Sequence, residues 1–260
     1  MINIIKKLFI GILTIPMIRR ILKKKQFYIF TNYPHNMDGL ATIHNSDFKK
    51  EKDFLLAYKA ITPPPLGMHW RLYILGWAAE HATRVNGDFV ECGTDQGCTA
   101  SFVAKYLKFQ NIKKNFFLVD TFAGLIESKI SKPEITLWKR HGADPRNLYN
   151  NKKSDAYKIV SNKFRNYKNI KIIKGIIPEI LKKIDINKVC YLHIDLNCAK
   201  PEVEALKFFY PKLSRNSIVI FDDYGWKNHI HQKKLIDKFL KIKKQKILTL
   251  PTGQGLMIKN

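Results

Sequence analysis

The chain has 260 residues, of which 45% are hydrophobic, so it can bury the core of one large α/β domain with an appended segment and does not require a second domain. Its formal net charge is +25, from 46 Lys and Arg against 21 Asp and Glu. The four cysteines lack a paired Cys-x-x-Cys spacing and three of them lie in or beside apolar runs, which favours a reducing, cytoplasmic setting.

The positive charge has two interpretations. A basic surface can bind nucleic acid or phosphate. The alternative is a bias of composition, because the lysines are scattered through every region and Ile, Asn, Phe and Tyr are abundant beside them. The second interpretation is favoured, since isoleucine binds no anion, and nucleic acid is not an expected partner.

The first 25 residues predict a basic amphipathic helix. Its apolar core, residues 8–18, is too short to span a bilayer, and no small-residue cleavage site of a signal peptide follows it. The apolar face lies opposite Lys6, Lys7 and Thr14, as expected for a helix on the anionic inner face of a membrane or for one packed on the protein itself. We therefore divide the chain into an N-terminal segment with its lead-in, residues 1–60, and one domain, residues 61–260.

From residue 67 onward the chain alternates helical and strand-like patterns. Helices are predicted over residues 67–84, 99–109, 155–167, 201–210 and 232–242, and strands over residues 88–92, 115–119, 170–174, 189–194, 217–221, 246–250 and 255–259. This alternation predicts an α/β fold with a mostly parallel seven-stranded sheet and helices on both faces. The short connection PTGQ makes one of the last two strands antiparallel to its neighbours.

The segment 128–154 lacks strong periodicity. It carries Trp138, His141, Arg146 and Tyr149. It is either a lid over a cleft or a plain surface excursion, and the pattern does not separate the two.

The first strand leads into a glycine loop, in the sequence GDFVECGTDQGCTASF. Gly93 and Gly97 allow a tight turn and a close backbone approach, and the helix that follows would point its amides at a ligand. The spacing lacks the third-position glycine of the dinucleotide fingerprint, and Glu91 and Asp95 would repel a diphosphate. A cationic ligand without phosphate fits better, and S-adenosylmethionine carries a sulfonium and an ammonium group.

Asp120 ends the second strand, in NFFLVD. In a nucleotide-type fold an acid at this point accepts hydrogen bonds from ribose hydroxyls. It can also cap the turn TFAGL that follows it. The two uses are compatible.

Three carboxylates are expected at one edge of the sheet. Asp195 ends VCYLHID, with His193 on the same face of the strand, and Asp222 and Asp223 end SIVIFDD. These strands are neighbours in the usual order of such folds, so the acids would form a hard oxygen site suited to Mg²⁺ or Ca²⁺. The alternative for the adjacent pair is a solvated turn.

Together these segments resemble a known family. Residues from about 68 to 260 look like the macrocin O-methyltransferases, class I S-adenosylmethionine enzymes with a Rossmann-like fold that methylate sugar hydroxyls in a Mg²⁺-dependent reaction. The matching segments are Arg71 with Leu72, GDFVECG, VDTFAGL, KGIIPEIL, YLHID, FFYPKLS and IVIFDDYG. The interval from Asp195 to Asp222 agrees with the interval between the metal-binding acids of the family.

The resemblance implies a role for several residues. The implied metal ligands are Asp195, Asp222 and Asp223. The residues predicted to bind the donor are Glu91, Gly93, Thr94, Gly97, Asp120, Thr121 and Gly175. The chain departs from the family at Asn197 and Ala199, where a second acid and a tyrosine are usual, at Asp95 and Gln96, and at Asn216 and Ser217. These departures affect the expected identity of the methyl acceptor more than the expected methyl donor or the expected fold.

The resulting hypothesis is a metal-dependent O-methyltransferase that acts on a hydroxyl of a sugar or glycosylated acceptor. Asp195 is a candidate for the general base, and His193, His141, His229 and His231 are other candidates, although a single His on a buried strand, such as His193, is more often a core residue. Two alternatives stay open. One is an RNA methyltransferase of the same fold, with steep salt dependence, and the other is a non-catalytic binding protein at the membrane surface. A homo-oligomer is also expected.

Overall fold

A computed structural model describes residues 46–61, 68–140, 142–144 and 155–260. The predicted N-terminal helix lies outside the described residues, as do His141, Arg146 and Tyr149. None of the helices in the described ranges combines the length and the apolar character that a bilayer span requires. Phe48 and Phe54 are buried in the same core as the sheet, so the described part of the lead-in packs on the domain, and the division at residue 60 stays a prediction.

Seven strands form one sheet. They are β1 (Asp88–Cys92), β2 (Phe116–Asp120), β3 (Ile170–Lys174), β4 (Val189–Ile194), β5 (Leu213–Phe221), β6 (Leu248–Thr249) and β7 (Gly255–Ile258). Their spatial order is β3-β2-β1-β4-β5-β7-β6, with parallel pairing from β3 to β5 and antiparallel pairing of β7 to both of its neighbours. The predicted α/β fold, with its mostly parallel sheet and closing hairpin, is confirmed.

Seven α-helices lie in the described ranges. They are α1 (Lys52–Lys59), α2 (His69–Thr83), α3 (Cys98–Tyr106), α4 (Lys132–Arg140), α5 (Ala156–Phe164), α6 (Ala199–Phe209) and α7 (Ile230–Ile242). Local chemistry accounts for some of the ends: Asp155 caps α5 because its side chain accepts a hydrogen bond from the Lys158 amide. The prediction placed the start of α6 two residues late and the start of β5 four residues late.

The sheet divides the hydrophobic core into two halves. On one face, Phe89 and Tyr191 pack with side chains of α1, α2, α3 and α5. On the other face, Val90 and Leu192 pack with side chains of α6 and α7. Every residue of β4 is buried, as expected for a central strand of a parallel sheet covered by helices on both sides.

The strand order reverses between β1 and β4. The strands β2 and β3 lie on one side of β1, and β4, which follows them in the sequence, lies on the other side. At such a switch point the loops beyond the carboxyl ends of the strands diverge and leave a crevice for a ligand. The ends of β1, β4 and β5 are therefore the place to look for a site.

Candidate active site

The ends of the three central strands hold the predicted site residues side by side. The hydrogen bonding between strands continues one residue past the ends of β4 and β5. The Asp195 amide donates to the Cys92 carbonyl of β1 (2.8 Å), and the Asp222 amide donates to the Ile194 carbonyl of β4 (3.0 Å). Gly93, Asp195 and Asp222 thus follow β1, β4 and β5 at one edge of the sheet. The structure thus places the start of the glycine loop and these acids at the same edge of the sheet.

Gly93 is the point at which the glycine loop touches the acidic edge. Its φ is +92°, in the region that favours glycine, and a Cβ atom at this position would overlap the carbonyl group of Asp195. No larger residue fits without a shift of backbone. The glycine therefore serves the close approach of two chain segments, β1 and β4, in addition to any contact with a ligand.

The loop after Gly93 is held by the acid at the end of β2. The Asp120 carboxylate accepts hydrogen bonds from the amides of Asp95 (2.8 Å) and Phe122 (2.6 Å). The second of these is the turn-capping use predicted for Asp120. Gly97, with a φ of +75°, then begins α3 as its N-cap residue. Contact of Asp120 with a ribose stays a prediction.

The other predicted donor-binding residues have different surroundings. The Thr121 hydroxyl donates to the Gly124 carbonyl (2.8 Å), and the Gly175 amide donates to the Asp120 carbonyl (2.9 Å). A Cβ on Gly175 would lie 2.6 Å from the Ile180 side chain, so this glycine is required by packing. Thr94 differs, because its hydroxyl is buried and has no hydrogen-bond partner in the described part of the chain.

Glu91 and His193 form a fully buried pair across β1 and β4. The His193 Nδ1 atom lies 3.0 Å from one Glu91 carboxylate oxygen, and the second Glu91 oxygen has no hydrogen-bond partner among the described residues. The His193 Nε2 atom lies 3.5 Å from the Asp222 carboxylate. His193 therefore joins Glu91 to the acidic edge from inside the sheet. This geometry favours the core interpretation of His193, and its catalytic role stays a prediction.

Asp222 has side-chain partners on three other elements. Arg71, on α2, donates from Nη2 to its Oδ2 atom and also to its backbone carbonyl (3.1 Å). Gln254, in the β6–β7 connection, donates to its Oδ1 atom (3.0 Å), and His193 faces the same oxygen from β4. Asp222 is therefore a buried acceptor whose charge is offset by an arginine, so the alternative of a solvated turn does not apply to it.

The carboxylates of Asp223 and Asp195 have fewer close side-chain partners than the carboxylate of Asp222. The Asp223 carboxylate lies 3.7 Å from His229 Nε2 and 3.8 Å from Arg71 Nη2. The Asp195 carboxylate accepts a hydrogen bond from the Asn197 side-chain amide (2.9 Å). Burial, followed by the negative charge of Asp223, raises the pKa of Asp195 to about 7, against the opposing influence of His193 and Arg71.

The described part of the segment 128–154 packs against this edge. On α4, the Trp138 ring contacts the His229 ring edge to face at 4.8 Å, and the Glu134 carboxylate accepts from the Ala199 amide at 2.7 Å. Glu134 thus caps the start of α6, which explains why α6 begins two residues earlier than predicted. Through Trp138 and His229, the described part of the 128–154 segment reaches the neighbourhood of Asp223.

Sequence reasoning missed the partners of the acids. Arg71 is noted in the sequence only as a residue shared with the macrocin O-methyltransferase family, and Gln254 only as a residue of the connection PTGQ. The single available signal was physical, because two adjacent carboxylates require a nearby positive charge. The sequence does not say which of its 46 Lys and Arg residues supplies that charge.

Glu202 is a further buried acid behind the site. Its Oε1 atom accepts from the Gln232 side chain (3.0 Å) and the Leu196 amide (3.3 Å). Burial, followed by the charges of Asp223 and Asp195, raises the pKa of Glu202 well above its ordinary value. The folded protein therefore binds this proton more tightly than the unfolded chain does.

This pKa shift predicts a pH-dependent effect of Glu202→Gln. Below the unfolded pKa the folded protein keeps its full stability, and as pH rises toward the folded pKa the wild type loses stability that the uncharged glutamine does not lose. At pH 7.5, in chelator, we expect the variant to melt about 3 °C or more above the wild type, and at pH 4 we expect no difference.

Scanning calorimetry across this range measures the effect. The matched control is Glu204→Gln on the same helix, whose carboxylate pairs with Lys207 nearer the surface at 2.8 Å. A Glu202→Gln variant that melts below the wild type at pH 7.5 contradicts the assignment of a buried, protonated acid.

Three of the predicted residues are also the implied metal ligands. No group of three or more His, Cys, Asp or Glu side chains within the described ranges stands ready to coordinate an ion. The chemistry of the donor set nevertheless fits a hard cation, since Asp195, Asp222 and Asp223 are oxygen donors at one edge of the sheet. A metal centre stays a prediction.

The fold and the site together define the class of protein. A sheet in the order β3-β2-β1-β4-β5-β7-β6, with a glycine loop after β1 and an acid at the end of β2, is the Rossmann-like architecture of S-adenosylmethionine-dependent methyltransferases. The chain belongs to the macrocin O-methyltransferase (TylF) family, whose model matches residues 70–249. It is an S-adenosylmethionine-dependent O-methyltransferase.

Solved structures have the same fold. The O-methyltransferase NovP is similar at 20% identity, with a TM-score of 0.61 over 73% of this chain and 79% of NovP. The calicheamicin methyltransferase CalS11 is similar at 14% identity, with a TM-score of 0.57 over 83% of this chain and 94% of CalS11. At these identities the likeness concerns the fold alone. A search of curated proteins gives no match.

Proposed function

We propose that this methyltransferase transfers the methyl group of S-adenosylmethionine to a hydroxyl group of a sugar or glycosylated acceptor, in a reaction that requires a divalent cation. The acceptor class follows from the family and from CalS11, which is described as a TDP-rhamnose 3'-O-methyltransferase. The observation that carries the proposal is the direct contact of the glycine loop with the acidic edge at Gly93 and Asp195. Donor and acceptor sites would then adjoin.

The donor is proposed to lie against the loop after β1. The residues proposed to hold it are Glu91, Gly93, Thr94, Gly97, Asp120, Thr121 and Gly175. Two buried polar atoms without a hydrogen-bond partner in the described chain support this assignment, the Thr94 hydroxyl and one Glu91 carboxylate oxygen. The negative charge of Glu91 suits a sulfonium donor, which carries no phosphate.

The acids at the ends of β4 and β5 are proposed to serve the acceptor. Asp195, Asp222 and Asp223 would hold the cation, which when bound lowers the pKa of the acceptor hydroxyl and fixes its position. Asp195 is also the proposed general base, because it follows β4 at the edge where the glycine loop and the acids meet. His193 is proposed to orient Asp222 from inside the sheet.

A double replacement tests the acidic edge. In Asp222→Ala/Asp223→Ala we expect methyl transfer to be lost, because both the cation and the acceptor lose their carboxylates, while the dissociation constant for S-adenosylmethionine stays within about threefold, less than 1 kcal/mol. The measurement is transfer of labelled methyl groups to a panel of nucleotide sugars and glycans, with Mg²⁺ and with chelator.

The control for this test is Asp53→Ala, at a surface acid paired with Lys108 at 3.3 Å. Full transfer in excess chelator contradicts the cation requirement, and full transfer by the double variant contradicts the role of the acidic edge. Homo-oligomerisation and contact of residues 1–25 with a membrane stay predictions.

A further inference from the structure

We propose that Arg71 is the resident counter-ion of the two adjacent acids, and that a divalent cation reaches the Oδ2 atom of Asp222 only by displacing the Arg71 guanidinium. This inference rests on the cation site of the proposed function. It assigns Arg71 as a positioning residue that sets the affinity of that site.

The surroundings of Arg71 are those of a buried ion pair. The residue is 5% exposed and comes from α2, 151 positions away from Asp222 in the sequence. Its Nη2 atom donates to the carboxylate and to the backbone carbonyl of Asp222 and lies 3.8 Å from Asp223 Oδ1. Its Cζ atom lies 5.9 Å from the centre of the Trp226 ring, within range of a cation–π contact.

The charges explain why an arginine is required here. Adjacent carboxylates in a partly dry site repel one another, and the repulsion is stronger than in water because the local dielectric is lower. A guanidinium has several donors in a fixed plane, so one group can bond a carboxylate and a carbonyl together. Arg71 therefore stabilises Asp222 and Asp223 in the absence of a bound ion.

The same contacts put Arg71 in competition with a metal ion. Asp222 Oδ1 is bonded by Gln254 and faced by His193, and its Oδ2 is bonded by Arg71. A hard cation needs an oxygen with a free lone pair and a short approach. The contacts of Asp223 with His229 and Arg71 are both longer than 3.5 Å. An arriving ion thus meets Asp195 and Asp223 directly, and the Oδ2 atom of Asp222 only after Arg71 has left it.

Titration with Mn²⁺, followed by electron paramagnetic resonance, tests this competition in the full-length protein. Arg71→Met removes the charge and keeps much of the apolar stem, so we expect Mn²⁺ to bind about tenfold more tightly than to the wild type. A residue with a purely structural role would shift affinity in the opposite direction, because its loss would loosen the site. The matched control is Arg84→Met, at the exposed end of α2, where the affinity should not change.

Two further measurements test the inference if Arg71→Met does not fold. Arg71→Lys keeps the charge but loses the forked contacts, and we expect it to bind Mn²⁺ about threefold more tightly than the wild type. In crystals of the wild-type protein soaked in MnCl₂, the Arg71 guanidinium should no longer lie on the Asp222 carboxylate. A guanidinium that stays on Asp222 beside a bound ion overturns the inference.

The outcomes separate this inference from the proposed function. If the wild type binds Mn²⁺ and the Arg71 variants bind it no more tightly, the counter-ion role fails and the cation site stands. If neither wild type nor variants bind Mn²⁺, the cation site and the inference both fail, while calorimetry with S-adenosylmethionine still reports on the donor site.

Discussion

Asp195→Asn is expected to lower kcat for methyl transfer by about a thousandfold, within the range observed when a general base is removed. The asparagine keeps the size of the side chain and an oxygen that can accept the hydrogen bond from Asn197. The loop contact at Gly93 involves only the backbone of Asp195 and is preserved. What is lost is the negative charge and the basicity, so the effect should fall on the proposed cation site and on the chemical step, and not on donor binding.

The measurement is single-turnover transfer to an acceptor found in the panel, with the affinity for S-adenosylmethionine measured by calorimetry. The affinity should stay close to that of the wild type, because the donor is assigned to the β1 and β2 ends. Asp185→Asn, at an exposed acid on the loop before β4, is the control for a change of one charge. Activity of Asp195→Asn within threefold of the wild type would remove Asp195 from the mechanism.

Gly93→Ala is expected to be among the most destabilising single substitutions in the chain, by about 4 kcal/mol or more. The added methyl group would overlap the carbonyl of Asp195, and the φ of +92° is unfavourable for any residue with a Cβ. Relief requires β1 and β4 to separate at the edge where the loop and the acids meet. Donor binding should be lost together with stability, which denaturant unfolding and calorimetry measure in parallel.

The control for this prediction is Gly142→Ala. Gly142 also has a positive φ, +79°, but no atom of the described residues lies within 4 Å of the place that an added methyl group would take. Gly142→Ala therefore introduces the backbone strain without the overlap. We expect it to lower the free energy of unfolding by about 1 kcal/mol. Equal effects at the two positions would show that strain, and not the contact with Asp195, explains the need for glycine at Gly93.

The order and type of the elements could be predicted because they depend on local patterns. Strands of β-rich apolar residues and amphipathic helices of ordinary length alternate along the chain, and each pattern is recognisable without knowledge of its neighbours. The element ends were predicted less well. The start of α6 depends on Glu134, which is 65 positions from Ala199 in the sequence, and such a cap has no local signal.

The candidate site divides in the same way. Asp195, Asp222 and Asp223 could be found because each directly follows a strand, and parallel strands bring their carboxyl ends to one edge. The lone histidine on β4 could be interpreted either way from sequence. Its position between Glu91 and Asp222, with no exposed surface, follows from the pairing of β1, β4 and β5.

The amino-acid sequence alone determined the α/β alternation, the glycine loop and the acids that end β2, β4 and β5, because periodicity and strand ends are properties of neighbouring residues. Only the tertiary structure decided which side chains lie against the acids that end β4 and β5. Arg71, Gln254 and His229 come from three separate elements. From the sequence alone, any of the many basic side chains could supply the positive charge that the adjacent acids require. The packing of α2, the turn before α7 and the β6–β7 connection around the edge of the sheet selects these three residues. Packing between elements so far apart in the sequence leaves no local pattern in the chain.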